Sequence, residues 1–309
     1  MPISAEAQLA KNRKISQTRQ ATKKRRQFQA AKTYQLKIVA NKLSSKQEYA
    51  LDQAFLQAKW FINDVITHLE SEKLSDYVSS TKSVNVRLGS SSDEYEERKL
   101  THLAAQVKQA IVRRVGDNLS GLKALKQNGR RVGRLRYVKE VDSLPLNQYG
   151  GTHKIVDSNT IRIVKIGRVK VRGLQQIPQD AEIATATLNR KPDGYYVHLT
   201  VFIPVAVDTS WESNPNVGID LGIADTLITS AGEKYRVKVE VSSRLKGLQR
   251  KLSRQKKGSR NYTKTVQEIR REHQRLSNIK NDHASKITHD LLDNSGIIFI
   301  QDEMIHLKR

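Results

Sequence analysis

Two short apolar runs, VGID at 217–220 and GIIFI at 296–300, each lead into acid, and a long basic helical stretch separates them. The first ends on Asp220, and the second runs into Gln301, Asp302 and Glu303. Asp220 reads as a carboxylate buried at the end of a strand. The second run is wholly apolar and reads as a strand covered on both faces, in the middle of a mixed sheet. If the two strands are neighbours, their acids converge at one sheet edge. Such acids repel one another, and magnesium or manganese relieves the repulsion. Structural caps at strand ends would explain each acid singly.

The lysines and arginines decide what such a site would act on. Residues 1–32 carry a net charge of +8, residues 108–139 one of +9, and residues 244–280 one of +11, within a chain whose total is +24. Clustered cations release counterions from a phosphate backbone, the usual source of nucleic-acid affinity. The alternative is a set of solvated helix faces. No cysteine occurs, which removes disulfides and thiolate zinc sites from this chain and suits a reducing cytosol. No apolar run approaches the roughly 18–20 residues of a membrane span. The N-terminus, MPISAEAQLAKNRK, lacks the apolar core of a secretory signal. A soluble intracellular protein is expected.

Residues 1–32 read as a basic arm, helical or ordered on binding. TYQLKIVANKL alternates like a strand through Tyr34, Leu36 and Ile38. A helix follows, with Ser44 or Ser45 as N-cap and an apolar stripe of Leu51, Phe55, Ala58, Phe61, Ile62 and Val65. Residues 71–95 read as a loop with short helical pieces. A second helix is expected from about 97 to 126 on Leu100, Leu103, Val107, Ile111, Val115, Leu119 and Leu122. NGRRVGRLRYV breaks it, and strands dominate from 140 to 206, with a hairpin turning at PDG. VGIDLGI, ADTLITS and EKYRV predict three antiparallel strands. Two helices follow, one begun by Leu245, Leu248 and Leu252, the other over about 262–292.

Converging acids at strand ends suit a ribonuclease-H-like nuclease, in which a metal pair activates water for phosphodiester cleavage. Two further readings compete. VGIDLG also matches the first phosphate loop of the actin and heat-shock-chaperone ATPases, but no second glycine-rich phosphate loop follows. A DDE transposase would use the basic helices to hold transposon ends.

GIDLGIADTLITSAGEKY, then LQRKLSRQKKGSRN, then a helix ending NDHASKITHDLL, then IIFIQDE, resembles the TnpB family of transposon-encoded RNA-guided nucleases, relatives of the type V CRISPR effectors. TYQLKIVANKLSSKQEYALDQAFLQAKWFIND resembles the family's first strand and recognition helix. QAIVRRVGDNLSGLKALKQNGRRVGRLRY resembles the helix and basic segment that re-enter its wedge barrel. GRVKVRG and GYYVHLTVFIP resemble the rest of that barrel, so the likeness spans roughly 33–303.

The resemblance implies an α+β multidomain fold. A wedge β-barrel is expected from 33–43 and 139–210, with a helical recognition domain, 44–138, inserted in it. A RuvC-like α/β domain follows at 215–309, containing the basic hairpin 243–292 and ending short of the family's C-terminal part. Guide RNA and target double-stranded DNA are the implied partners, in a prokaryotic cytosol or nucleoid with no membrane attachment. Backbone contacts are expected from Lys23, Lys24, Arg25 and Arg26, from Arg130, Arg131, Arg134 and Arg136, and from Arg250, Lys251, Arg254, Lys256, Lys257, Arg260 and Asn261. Tyr34, Trp60, Phe61 and Tyr137 are candidates for base stacking, with Trp60 and Phe61 leaning toward the core.

Two departures from the family pattern matter. The family's second acid falls on Gln301; side chains alternate along a strand, so Glu303 shares its face and Asp302 points away. Asp220 and Glu303 are therefore the expected catalytic ligands of magnesium or manganese, with Asp302 second. The family's zinc ribbon and third acid have no counterpart up to residue 309, so this chain alone is expected not to cleave; a missing C-terminal segment or a second protomer is one way the site could be completed. A nuclease-dead repressor and a DNA-end-binding transposase are the alternatives.

Overall fold

The computed structural model describes residues 5–68, 81–89, 94–205, 213–222, 226–237, 239–240 and 242–300. Helix α1 spans Ala5–Arg26. It is rich in Ala, Gln, Lys and Arg, all good helix formers, and has no Gly or Pro. Its few apolar side chains find no core: Leu9 and Ile15 are exposed. A helix polar on all sides draws little stability from packing, and α1 is anchored at its C-terminal end. There Arg25 and Arg26 pair with Glu182, each at 2.8 Å, and Arg26 lies 3.9 Å from the centre of the Phe202 ring.

Strand β1, Gln29–Ile38, starts earlier than its alternation suggested. Tyr34, Leu36 and Ile38 are buried as expected. Helix α2, Ser45–Thr67, is capped by Ser44 in a reciprocal box with Gln47. Its Gln47 amide also donates to the Arg168 carbonyl at 2.6 Å. The stripe Leu51, Phe55, Ala58, Phe61 and Val65 is buried, and Ile62 half-buried.

The expected loop at 71–95 is corrected where residues are described. Strands β2, Ser83–Arg87, and β3, Tyr95–Lys99, form an antiparallel hairpin. Consequently helix α3 covers only Ala105–Gln127. Leu100 and Leu103 are buried, but they sit ahead of it, and their spacing mimicked one more helical turn.

Strands β4 (Ser143–Leu146), β5 (His153–Asp157), β6 (Thr160–Ile163), β7 (Gly167–Arg172), β8 (Glu182–Lys191) and β9 (Gly194–Pro204) follow. With β1 they make a nearly closed, seven-stranded antiparallel sheet ordered β4-β8-β9-β1-β7-β6-β5. The PDG hairpin is present: Lys191 pairs with Gly194, whose φ of 133° suits glycine. The inward side chains of the sheet and the stripes of α2 and α3 share one continuous core.

Residues 1–205 and 206–309 are separate compact units. The second contains β10 (Val217–Asp220), β11 (Leu227–Thr229), β12 (Lys234–Tyr235), α4 (Ser243–Ser253), α5 (Arg260–Asn294) and β13 (Ile298–Ile300). Its sheet runs β12-β11-β10-β13, and β13 lies parallel to β10. The sheet is mixed, as expected, but among the described residues β13 is at its edge and not its middle. Phe299 and Ile300 are correspondingly exposed. The buried core cluster here, among the described residues, is small: Ile219, Leu227 and Leu291.

Candidate nucleic-acid interface and acid site

β10 and β13 are direct neighbours, Ile219 beside Ile300. Asp220 is the last residue of β10, and Ile300, the last described residue of β13, directly precedes Gln301 in the sequence. Ile219 points into the small core, so its neighbour Asp220 turns outward and is exposed. This corrects the expectation of a buried carboxylate. The Asp220 side chain has no partner among the described residues. It borders an open cavity of about 460 Å³ with Ile228, Ser230, Phe299 and Ile300. Ser230 donates its backbone N–H to the Gly218 carbonyl at 2.8 Å and accepts the Gly218 N–H on its hydroxyl at 3.0 Å. The strand that carries Asp220 is thus held on both sides.

Glu303 and Asp302 lie outside the described residues. Among the described residues no group of three His, Cys, Asp or Glu converges on a metal position. A hard dication such as Mg²⁺ takes one or two protein carboxylates and keeps several waters. An exposed carboxylate with both oxygens open meets that need at one position.

The basic hairpin is built around a single acid. Ser242 caps α4 by accepting the Leu245 N–H at 3.1 Å, and its hydroxyl donates to Glu272 at 2.7 Å. Arg275 donates to the same oxygen at 3.0 and 3.2 Å. Glu272 is only 4% exposed, and the bonds from Arg275 and Ser242 hold its carboxyl below the usual range. The sequence held a signal for this clamp: Glu272 is one of two acids among thirteen Lys and Arg in residues 244–280. At the far end, the Tyr235 hydroxyl donates to Asp290 at 2.5 Å, fastening α5 to the sheet. That bond lifts the Tyr235 phenol to about 12.

With its frame fixed this way, the hairpin presents its cations outward. Arg250, Lys251, Arg254, Lys256, Lys257, Arg260 and Asn261 are all exposed. None of their side chains has a partner among the described residues. The same holds for Arg130, Arg131, Arg134 and Arg136 on the segment after α3, and for Lys23 and Lys24. Arg25 and Arg26 differ, because Glu182 already takes their charge. Of the stacking candidates, Phe61 and Tyr34 are buried and unavailable, Trp60 is half-buried, and Tyr137 is 63% exposed.

Residues 202–302 match the family OrfB_IS605, described as "Probable transposase". The resemblance to the TnpB family stands. The chain is 27% identical over 149 residues to a protein of Escherichia coli K12 named "Putative RNA-guided DNA endonuclease InsQ", covering 47% of this chain and 36% of that one. It is also 27% identical over 135 residues to a "Putative RNA-guided DNA endonuclease" of Streptomyces pristinaespiralis, covering 43% of this chain and 33% of the relative. The match therefore spans about a third of the length of these curated relatives. No helix among the described residues is long and apolar enough to cross a membrane.

Proposed function

We propose that this chain is an RNA-guided DNA-binding protein of the TnpB class. The nearly closed sheet serves as its wedge barrel, and a RuvC-like core is centred on Asp220. The observation that carries this reading is the hairpin α4–α5: a clamped frame on which Arg250, Lys251, Arg254, Lys256, Lys257 and Arg260 are exposed and have no side-chain partner among the described residues, in the same unit as the paired β10 and β13. Such a surface suits the regular phosphates of an RNA scaffold or an RNA–DNA heteroduplex. Magnesium or manganese would be held by Asp220, with Glu303 and Asp302 completing the set. When bound, the metal supplies charge for water activation and for the leaving oxygen. The protein's own part is to fix Asp220 through the β10 register and to hold nucleic acid on the exposed cations.

The test is to express the chain with its native flanking DNA, purify it through high salt and nuclease, and sequence what remains. A discrete protected RNA, with one end reading into flanking sequence, is expected. Random fragments or none would favour the second reading, a transposase that binds DNA ends without RNA, for which the family description speaks. The metal assignment has its own check: Mn²⁺ bound by the wild type should be lost or weakened in Asp220→Ala, and unchanged binding would remove Asp220 from the site.

A further inference from the structure

A second site lies within residues 1–205, on the C-terminal half of α2. A half-open cavity of about 340 Å³ is lined by Lys59, Trp60, Asp64, Arg87, Tyr95 and Tyr137, among others. Its back wall is fixed by a reciprocal pair. The Asn63 amide donates to the Val138 carbonyl at 3.1 Å, and the Val138 N–H donates to Asn63 at 2.7 Å. Tyr137 is held beside Thr67, hydroxyl to hydroxyl at 3.3 Å.

The chemistry of the lining is specific. Three aromatic side chains supply flat apolar surface. Trp60 already carries Arg98 over its ring at 5.7 Å. Asp64 is 9% exposed, and its Oδ2 is buried without a hydrogen-bond partner among the described residues. Its Oδ1 lies 3.8 Å from His68 Nδ1, beyond hydrogen-bond reach. An enclosed, unmatched acceptor is costly unless something donates to it. Lys59 and Arg87 make the rim basic, and the exposed arginines 130–136 lead directly into Tyr137. A cationic ligand would suit Asp64 but not that rim. A planar ring with N–H donors on one edge and phosphate attached suits both.

We propose that this cavity takes one unstacked nucleobase, a guanine before the others, with its N–H edge toward Asp64, its ring against Trp60 and Tyr137, and its phosphate toward Lys59 and Arg87. Guanine offers two adjacent N–H donors on one edge, the kind of group a carboxylate accepts from most strongly. Stacking on aromatic side chains is the common way proteins hold single bases. The inference rests on the nucleic-acid reading above but not on the guide.

The probe is free GMP, followed by the fluorescence of Trp60 in a Trp211→Phe background, which leaves Trp60 as the sole tryptophan of the two. Saturable quenching is expected, stronger for GMP than for UMP or for guanosine without phosphate. Asp64→Asn and Tyr137→Leu should each weaken it by about tenfold. Tyr137 is exposed, so its variant keeps the test valid if Asp64→Asn fails to fold. No saturable quenching, or quenching unchanged in Tyr137→Leu, overturns the proposal. Hexamers carrying a single G in a U or T background then assign the source: tighter RNA binding assigns the site to RNA, tighter DNA binding to DNA, and binding of neither overturns it. Quenching by GMP in a protein that purifies without discrete RNA would leave the pocket standing and sink the guide reading.

Discussion

The two units spend their residues differently. The first buries a continuous core of large side chains from seven strands and two helices, and ties down several of its charges, as Arg25, Arg26 and Lys37 show. The second has a buried cluster of three residues among those described and a 35-residue helix whose charged face is largely solvated. Polar clamps at Ser242–Glu272–Arg275 and Tyr235–Asp290 do there what apolar packing does in the first. The lesson is one of division: a scaffold that gains its stability from apolar packing, and a hairpin held by polar clamps whose cations at 250–260 have no partner among the described residues.

The comparison is broken most directly by core truncation. Phe61 is 0% exposed, and Phe61→Ala should cost about 3–5 kcal/mol, read as a lowered melting midpoint of the first unit. Leu291→Ala, in the smaller cluster, should cost less. Equal losses would erase the distinction.

Acid should also separate the units. His153 is 0% exposed, and burial lowers its imidazole from 6.5 to about 4. The unfolded chain therefore takes the proton first. Stability from keeping His153 neutral is complete above pH 6.5 and is lost as pH falls toward 4, by about 3 kcal/mol in all. His102 and His198, also lowered by burial, add in the same direction. The second unit's depressed carboxyls, Glu272 and Asp282, protect it above the ordinary carboxylate range and are lost only below it. Urea melts at pH 7 and pH 5 should weaken the first unit before the second, and His153→Gln should flatten its slope. A pH-independent first unit would contradict the burial argument.

Smaller effects sharpen the picture. Ser242→Ala removes a cap and the donor to Glu272, and should cost about 1 kcal/mol, seen as faster amide exchange in α4. Unchanged exchange would show that the clamp does not hold the hairpin. Removing Lys256 and Lys257 together should reduce the salt slope of RNA binding by about two units, while the melting temperature stays put. A lost fold with an unchanged slope would make these cations structural.

Much of the first unit was legible because its pattern is strict. The PDG hairpin and the stripe of α2 follow from alternation and helical spacing alone. β3 was not, since YEERK has no apolar residue but Tyr95 and so no alternation to read. Leu100 and Leu103 then extended the apparent helix backwards into it. In the second unit, GIIFI carried the right strand but not its number of neighbours, because apolarity records burial wanted and not burial found. That β10 and β13 are neighbours entered from the acids only as a condition, and their parallel direction was not read at all. The exposure of Asp220 was not read either, because the single residue Ile219 decides which side faces the core.

The most direct measurement is DNA binding by the protein reconstituted with two guides of different sequence, each assayed against both matching duplexes. RNA-guided binding predicts that each complex retains only the duplex matching its own guide, with the preference reversing when the guides are exchanged. Equal retention of both duplexes, or binding that ignores the exchange, would contradict it.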